Sequence, residues 1–267
     1  MRAKKSFGQH FLHDQNVLHR IVDALDVQDE EYMVEVGPGT GQLTRVVSER
    51  YGHKKLICIE RDRDMVAHLA LKFPEIHVLE ADAMRYPWNT LIPEKEHGQA
   101  IIFGNLPYNV STQIYFHLLF EHRAIFKSMV FMFQKEVASR LLSDHGSKSY
   151  GPPSVMTHLL TRCSLVTNVA PSAFRPPPKV KSAVIKVQPL SQPRYGLTDE
   201  DIPSVNPFIH ALFRQRRKTL RNNLKAVAGP HTEGILQNCQ LDGNVRAETL
   251  SPQTLVQLWR SMYGTSS

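Results

Sequence analysis

Short apolar runs alternate with helix-length stretches in the first half of this 267-residue chain, and this alternation constrains the fold more than any other feature. The runs occupy residues 32–37, 55–60, 76–82, 100–107 and 128–134. Because they are almost continuously apolar, they are typical of strands buried on both faces, as in a parallel sheet covered by helices. The alternation therefore predicts an α/β fold.

The pattern changes towards the C-terminus. Two further apolar runs, at 163–170 and 182–190, are separated only by a proline-rich loop, which favours an antiparallel addition to the sheet. A proline-containing linker follows, and the rest reads as one long helix at 206–227 and shorter helical pieces. These features predict a main domain at residues 1–190 and a small all-helical domain at residues 191–267.

The net charge of +7 is concentrated near the C-terminus. The first 170 residues contain 19 Lys+Arg and 19 Asp+Glu, whereas the remainder contains 13 and 6. A basic segment joined to a balanced one indicates a polyanionic partner such as nucleic acid. Surface charge that serves only solubility is the alternative.

Several other classes of protein are not indicated. No apolar run approaches the ~18–20 residues of a membrane span. The basic start lacks the apolar segment of a signal peptide. The three cysteines, Cys58, Cys163 and Cys239, are too widely separated to indicate a disulfide framework or a zinc site. We expect a cytoplasmic protein without a metal or a membrane partner, and no feature demands more than a monomer.

A glycine-rich turn, EVGPGTG, follows the first predicted strand. Gly37, Gly39 and Gly41 allow a tight turn and a close approach of backbone to a ligand. The next two strands end at Glu60 and Asp82, at the edge where open α/β sheets bind ligands, and an acidic side chain there can accept the hydroxyls of a ribose. The combination predicts an adenosine-type cofactor, and a ligand-free tight turn is the alternative.

The spacing of the glycines favours one cofactor. The turn is G-x-G-x-G, not the G-x-G-x-x-G of dinucleotide-binding proteins. S-adenosylmethionine has no pyrophosphate to place on a helix start, so this spacing suits it better. A nicotinamide-dependent dehydrogenase is the alternative.

The fourth run ends in Asn105-Leu106-Pro107-Tyr108, a sequence suited to an exocyclic adenine amine. The lone pair of that amine is delocalised, so the nitrogen must pyramidalise before it attacks a methyl group. The Asn105 side chain and the Leu106 carbonyl can accept its two N–H groups, and Pro107 restricts the backbone of Leu106. Tyr108 offers a face on which the base can stack. A strand end with a helix-capping asparagine is the alternative.

Five motifs, FGQHFL, EVGPGTG, FGNLPYN, PSAFRPPPKV and FRQRRKT, follow one another in this order. Because it contains all five motifs in this order, the chain resembles, over nearly its whole length, the adenine N6,N6-dimethyltransferases of small-subunit ribosomal RNA. The resemblance implies a Rossmann-like S-adenosylmethionine-dependent methyltransferase sheet. It also implies transfer of four methyl groups to two adjacent adenosines near the 3′ end of that RNA, in a partly assembled small subunit late in its biogenesis.

The resemblance also implies roles for individual residues. The cofactor contacts would be His10, Leu12, Gly37, Glu60, Asp82 and Asn105. Phe174 would join the catalytic residues Asn105, Leu106 and Tyr108 by packing the target adenine opposite Tyr108; a core anchor is its alternative role. The family usually has Asn at the position of His10 and Leu at that of Pro153, where the proline is expected to rigidify a loop.

The predicted helix at 206–227 carries a basic stripe. At 100° per residue, five cations fall within an arc of about 100°: Arg214, Arg217, Lys218, Arg221 and Lys225. We expect them to bind RNA phosphates, with a solvated basic face as the alternative. Arg216 points to the apolar side and is expected to pair with a carboxylate or a backbone carbonyl.

A binding-only protein is the alternative function. On the same fold, a non-catalytic RNA-binding assembly factor could use the basic segment without methyl transfer. Methyl transfer to undermethylated small subunits distinguishes the two.

Overall fold

The computed structural model describes residues 10–28, 31–94 and 98–264. The first three residues of the FGQHFL motif lie outside these ranges. The chain divides into two compact units: Met1–Ala138 with Cys163–Pro189, and Ser139–Arg162 with Leu190–Ser267. The first unit thus ends near the expected boundary at residue 190, but the second unit also contains residues 139–162.

The strands and α-helices are, in chain order, β1 (Phe11–Leu12), α1 (Gln15–Leu25), β2 (Met33–Val36), α2 (Gln42–Tyr51), β3 (Leu56–Glu60), α3 (Arg63–Lys72), β4 (His77–Glu80), β5 (Ala100–Gly104), α4 (Ser111–Glu121), β6 (Phe126–Gln134), α5 (Lys135–Leu141), α6 (Pro152–Leu160), β7 (Thr161–Val169), β8 (Phe174–Arg175), β9 (Ser182–Pro189), α7 (Ile202–Leu212), α8 (Leu220–Ala228), α9 (Thr232–Asn238) and α10 (Pro252–Tyr263).

The first unit contains a mixed seven-stranded sheet in the order β4-β3-β2-β5-β6-β9-β7. Strands β2 to β6, which the five apolar runs predicted, pair in parallel. Strand β9 adds to β6 in the antiparallel direction, as predicted. Because β3 and β5 lie on opposite sides of β2, the chain reverses its winding there, and a crevice is expected at the carboxyl end of β2. The predicted α/β class is confirmed.

Helix α1 covers part of this sheet. Asp14 caps it by accepting hydrogen bonds from the backbone N–H groups of Asn16 and Val17. Its apolar residues recur at intervals of three and four, so they lie on one face, and that face is buried. The buried face joins a core cluster with residues of the central strands.

The second unit is built from helices α6 to α10. Helix α6 packs against α7 and α10, which accounts for the inclusion of residues 139–162 in this unit. Pro152 and Pro153 occupy the first turn of α6, where the missing N–H costs nothing because it has no partner within the helix. The expectation that Pro153 rigidifies a loop is therefore wrong.

The single helix predicted at 206–227 is also wrong. Helix α7 ends at Leu212, turns follow, and Thr219 begins α8 by accepting a hydrogen bond from the Asn222 N–H. In one continuous helix, the cations of the predicted stripe would repel one another at three- and four-residue spacing. Together with the capping threonine, this repulsion accounts for the break.

No helix in the described ranges has the length and hydropathy needed to cross a bilayer.

Candidate active site

A cavity of about 570 Å³ opens at the carboxyl ends of the parallel strands in the first unit. This volume lies in the range typical of small-molecule sites. All residues predicted to contact the cofactor line this one cavity: His10, Leu12, Gly37, Glu60, Asp82 and Asn105. The fold thus brings together residues that lie up to 95 positions apart in sequence.

The turn after β2 depends on its glycines. Gly37, Gly39 and Gly41 have φ angles of +69°, +55° and +75°, in the left-handed region that favours glycine. A Cβ on Gly37 would meet no atom within 4 Å, so the backbone there borders open space in the cavity. A ligand can therefore approach the main chain closely at this point.

Glu60 ends β3 with its carboxylate held by the backbone. One oxygen accepts from the Gly39 N–H at 3.1 Å and the other from the Asp62 N–H at 2.8 Å. The side chain is buried, and this burial raises the pKa of the carboxyl group, opposed by backbone hydrogen bonds from Asp62, Gly39 and Arg61. A carboxylate offers about four acceptor sites, so Glu60 keeps acceptor capacity for a ribose hydroxyl.

Asp82 has its carboxylate partly engaged by neighbours. One oxygen accepts from the Met84 N–H at 3.0 Å, and the other lies 3.4 Å from a guanidinium nitrogen of Arg61. Arg61 and Asp82 both line the cavity. An amine donor that binds Asp82 would share its carboxylate with this ion pair.

Asn105 follows β5 and is oriented by a backbone group. Its side-chain nitrogen donates to the carbonyl oxygen of His10 at 2.9 Å. Because a carbonyl can only accept, the amide nitrogen must face His10, and the amide oxygen is then directed elsewhere as an acceptor. The side chain of residue 10 takes no part in this hydrogen bond, so the exchange of the usual Asn for His10 leaves it intact.

Tyr108 lines the same cavity and is fixed at both ends. Its hydroxyl lies 2.6 Å from the Ser182 hydroxyl. The His10 ring stacks on the Tyr108 ring with a centroid distance of 5.8 Å. Burial raises the pKa of the phenol, so the hydroxyl stays protonated. The His10 ring is itself anchored, since its Nδ1 lies 2.8 Å from the carbonyl oxygen of Pro176.

Leu106 and Phe174 are not among the residues that line the cavity. Both side chains are buried, and Phe174 belongs to the core cluster of the first unit, where its backbone pairs with Leu12. The core-anchor alternative describes this placement of Phe174. The role suggested for Leu106 involves its carbonyl group and is independent of its side chain.

Glu35 is a residue near the site that the sequence did not single out. It lies in β2 with 2% exposure, and its carboxylate accepts a hydrogen bond from the Thr44 hydroxyl at 2.6 Å. Burial raises its pKa to about 8, and the nearby Glu60 carboxylate adds to the increase. Its position within an apolar run already indicated from the sequence that Glu35 is buried.

The other groups that position the site residues could not be recognised from a sequence pattern. Arg61, Ser182 and the His10 carbonyl act through contacts with distant residues. No group of acidic, histidine or cysteine side chains in the described ranges could hold a metal ion.

The cations predicted to bind RNA do not share one helix face. Arg214, Arg217 and Lys218 are exposed in the turns between α7 and α8, and Lys225 is exposed on α8. Arg221 donates to Glu233 at 2.8 Å and to Asn244 at 3.2 Å. It is thus engaged within its own unit.

Arg216 has the partners that were predicted. Its guanidinium donates to the Glu248 carboxylate at 2.9 Å and to the Lys148 carbonyl oxygen at 2.9 Å. The prediction of a carboxylate or carbonyl partner is confirmed, although the continuous helix from which it was made is absent.

Two solved structures of methyltransferases share this architecture. A dimethyladenosine transferase from Plasmodium falciparum matches with a TM-score of 0.78 and 26% identity, over 93% of this chain and 96% of that one. The 23S rRNA methyltransferase ErmE matches with a TM-score of 0.71 over 94% of this chain and 99% of that one; at 22% identity it shows the fold alone. The fold class is thus that of the Rossmann-like methyltransferases.

Within that class, the chain belongs to the ribosomal RNA adenine dimethylase family, whose model matches residues 1–262. Ribosomal RNA small subunit methyltransferase A of Aeromonas hydrophila is 42% identical over 260 residues, which cover 96% of this chain and 92% of the relative. The protein of the same name from Hahella chejuensis is 37% identical over 265 residues, or 98% and 93% of the two chains.

Proposed function

We propose that this chain is an S-adenosylmethionine-dependent ribosomal RNA adenine N6,N6-dimethyltransferase. Its substrate is two adjacent adenosines near the 3′ end of small-subunit ribosomal RNA, and each receives two methyl groups. The main support is that Asn105, whose side chain is oriented by a hydrogen bond, lines the same cavity as the Glu60 carboxylate and the glycine-rich turn. Membership of the dimethylase family and the names of the relatives support this assignment.

The residues present fit the proposed cofactor. The Glu60 carboxylate keeps acceptor capacity for a ribose hydroxyl, and Asp82 offers an acceptor for an adenine amine. The Gly37 backbone borders open space for the remainder of the molecule. When bound, S-adenosylmethionine supplies an electrophilic methyl group on a sulfonium ion.

The target amine needs acceptors more than a base. The Asn105 oxygen and the Leu106 carbonyl can take the two N–H groups as the nitrogen pyramidalises, which frees its lone pair. These acceptors are fixed before the reaction, Asn105 by the His10 carbonyl and Leu106 by the following Pro107, so little reorganisation is needed. The Tyr108 ring, held by Ser182 and His10, offers a stacking face for the base.

We infer that the chain acts as a cytoplasmic monomer on a partly assembled small subunit, late in its biogenesis. The exposed cations of the second unit support a polyanionic substrate.

Methyl transfer to undermethylated small subunits tests the proposal. The RNA is isolated after incubation with S-adenosylmethionine, and its 3′ fragment is weighed by mass spectrometry. We expect two dimethylated adenosines with the unaltered chain. Absence of any mass increase would contradict the enzymatic function and favour the binding-only alternative.

Asn105→Ala tests the acceptor role. Turnover should fall roughly hundredfold or more, the scale seen when one fixed transition-state partner is removed, while RNA affinity changes little. Asn238→Ala, the same substitution at an exposed position of α9, is the control. Unchanged turnover of Asn105→Ala at saturating cofactor would refute the role.

In parallel, Glu60→Ala should weaken cofactor binding in calorimetry and leave RNA binding unaltered.

A further inference from the structure

Two carboxyl groups, Glu35 and Glu60, line the cavity of the first unit, and neither forms an ion pair with a described residue. Two arginines, Arg61 and Arg85, also line this cavity, and both are exposed. Arg61 lies 3.4 Å from the Asp82 carboxylate and is paired with it. Glu35 and Glu60 therefore lack a positive partner, which a bound cation can supply.

Glu35 contacts the protein through one of its two oxygens. Its Oε2 accepts the hydrogen bond from the Thr44 hydroxyl, and the Cys58 thiol lies 3.9 Å from the same oxygen. Its Oε1 has no hydrogen-bond partner among the described residues. The side chain is almost wholly shielded from bulk water although it lines the cavity. A charge on a bound molecule is therefore weakly screened where it acts on Glu35.

The elements packed around Glu35 present no cation to it within the described ranges. Strand β3 contributes the Cys58 thiol, whose pKa is raised by burial, and the Glu60 carboxylate. Helix α2 contributes the Thr44 hydroxyl, and neither the buried face of α1 nor strand β5 contains a titratable side chain. Burial, with a smaller effect of Glu60, raises the pKa of Glu35 to about 8. The ligand-free chain therefore holds a proton on Glu35 at neutral pH.

We propose that Glu35 releases its proton when S-adenosylmethionine binds, and that the carboxylate so formed selects this cofactor over its product, S-adenosylhomocysteine. The O–H bond of Glu35 breaks, the proton passes to the solvent, and the electron pair stays on the carboxylate. The cofactor carries one positive charge more than the product, because methyl transfer converts its sulfonium group into a neutral thioether. An opposite charge favours the ionised form of a carboxyl group, so the cofactor stabilises the Glu35 carboxylate more than the product does.

This inference deepens the proposed function and rests on it for the identity of the cofactor. It makes Glu35 a specificity-determining residue that takes no part in the transfer itself. After transfer, the Glu35 carboxylate lies near a neutral sulfur atom and takes up a proton again. The affinity for the product is then lower than the affinity for the cofactor, which favours the exchange needed before the next methyl group is transferred.

Calorimetry in buffers of different ionisation enthalpy measures the protons released on binding, because each buffer takes up a proton with its own heat. Near pH 7, the unaltered chain should release about 0.5–1 proton more per bound cofactor than Glu35→Gln does. Its affinity for S-adenosylmethionine should rise by up to about tenfold per pH unit between roughly pH 6 and pH 7.5, and the affinity of the variant should rise less. Protons from the cofactor's own amino group appear with both chains and cancel in the difference.

S-adenosylhomocysteine tests the selectivity. It should release fewer protons from the unaltered chain than S-adenosylmethionine does. The ratio of the two affinities should therefore increase with pH in favour of the cofactor, and Glu35→Gln should make this ratio less dependent on pH.

Glu75→Gln is the matched control, at an exposed position that does not line the cavity, and it should release as many protons as the unaltered chain. Thr44→Val decides the matter if Glu35→Gln does not fold. The hydrogen bond from Thr44 lowers the pKa of Glu35, so its removal should extend the rise in cofactor affinity to higher pH. An affinity profile of Thr44→Val that coincides with that of the unaltered chain contradicts the role of Glu35.

The same measurements separate this inference from the proposed function. If the unaltered chain neither binds S-adenosylmethionine nor transfers methyl groups, the proposed function fails, and this inference fails with it. If the unaltered chain binds the cofactor but releases no more protons than Glu35→Gln, only the role of Glu35 is overturned. Equal pH dependence of the affinities for cofactor and product likewise overturns the selectivity and leaves the proposed function intact.

Discussion

Glu35 is a single buried carboxyl group whose ionisation links the stability of the first unit to pH. Its pKa in the folded chain is about 8, against an ordinary value of 4.5. Between these values the folded state holds a proton that the unfolded state has lost. The free energy of unfolding therefore falls as pH rises through this window, by up to about 1.4 kcal/mol per pH unit, and the contribution is lost above pH 8.

Glu35→Gln should remove this dependence. The amide keeps an oxygen acceptor for the Thr44 hydroxyl and cannot ionise. Urea unfolding between about pH 5 and pH 9 should give a flatter profile for the variant, with its largest relative gain at the alkaline end. Glu75→Gln, at an exposed position, should leave the profile unaltered. Parallel profiles for Glu35→Gln and the unaltered chain would refute this account.

At the residue scale, the sequence predicted the groups that carry distinctive chemistry and missed those that position them. Glu60 and Asn105 stand at strand ends, where pattern and chemistry coincide. The hydrogen bond from Asn105 to the His10 carbonyl joins residues 95 positions apart and involves a backbone atom. A backbone atom is common to all residue types, so no side-chain pattern could reveal that contact.

At the element scale, strands β2 and β5 approach each other closely where they border the cavity. A Cβ on Gly104, the last residue of β5, would overlap the carbonyl oxygen of Val36, a backbone atom that cannot move without disturbing the sheet. Gly104→Ala should therefore lower the free energy of unfolding by about 1–3 kcal/mol, as overpacked cores do. Urea unfolding measures the change.

Gly234→Ala is the matched control for that substitution. Gly234 lies in α9, and a Cβ there would meet no atom within 4 Å. Alanine favours a helix over glycine by up to about 1 kcal/mol, so the control should be neutral or stabilising. A stable Gly104→Ala variant would show that the two strands can separate without cost.

Strands and helices were predictable from the sequence where a single pattern, such as an apolar run, dominated. The five parallel strands are long apolar runs, and all of them were found. Helix α6 was missed because its two prolines indicated a loop, although prolines are compatible with a first helical turn. The break before α8 was missed because apolar periodicity continues through it, and the Thr219 cap was given no weight.

At the scale of the whole molecule, Arg216 joins segments of the second unit that lie 68 and 32 positions away. Arg216→Ala should cost about 1 kcal/mol or more, because the half-buried Glu248 carboxylate loses its closest partner. Arg214→Ala, an exposed neighbour with no ion pair among the described residues, should change stability by less than about 0.5 kcal/mol. Chemical unfolding measures the free energy of unfolding of both variants. An equal decrease in the two would contradict a structural role for Arg216.

The second unit is assembled from two separate stretches of chain, and this has a consequence for biosynthesis. As the chain emerges from the ribosome, residues 139–162 appear before β9 can complete the sheet of the first unit, and long before α7 and α10 exist. Helix α6, whose side chains Val155 and Leu159 are buried in the folded chain, is therefore made before the helices α7 and α10 against which it packs. A chain stopped at residue 190 would carry that uncovered helix permanently. We expect such a chain to be a substrate for chaperones and proteases.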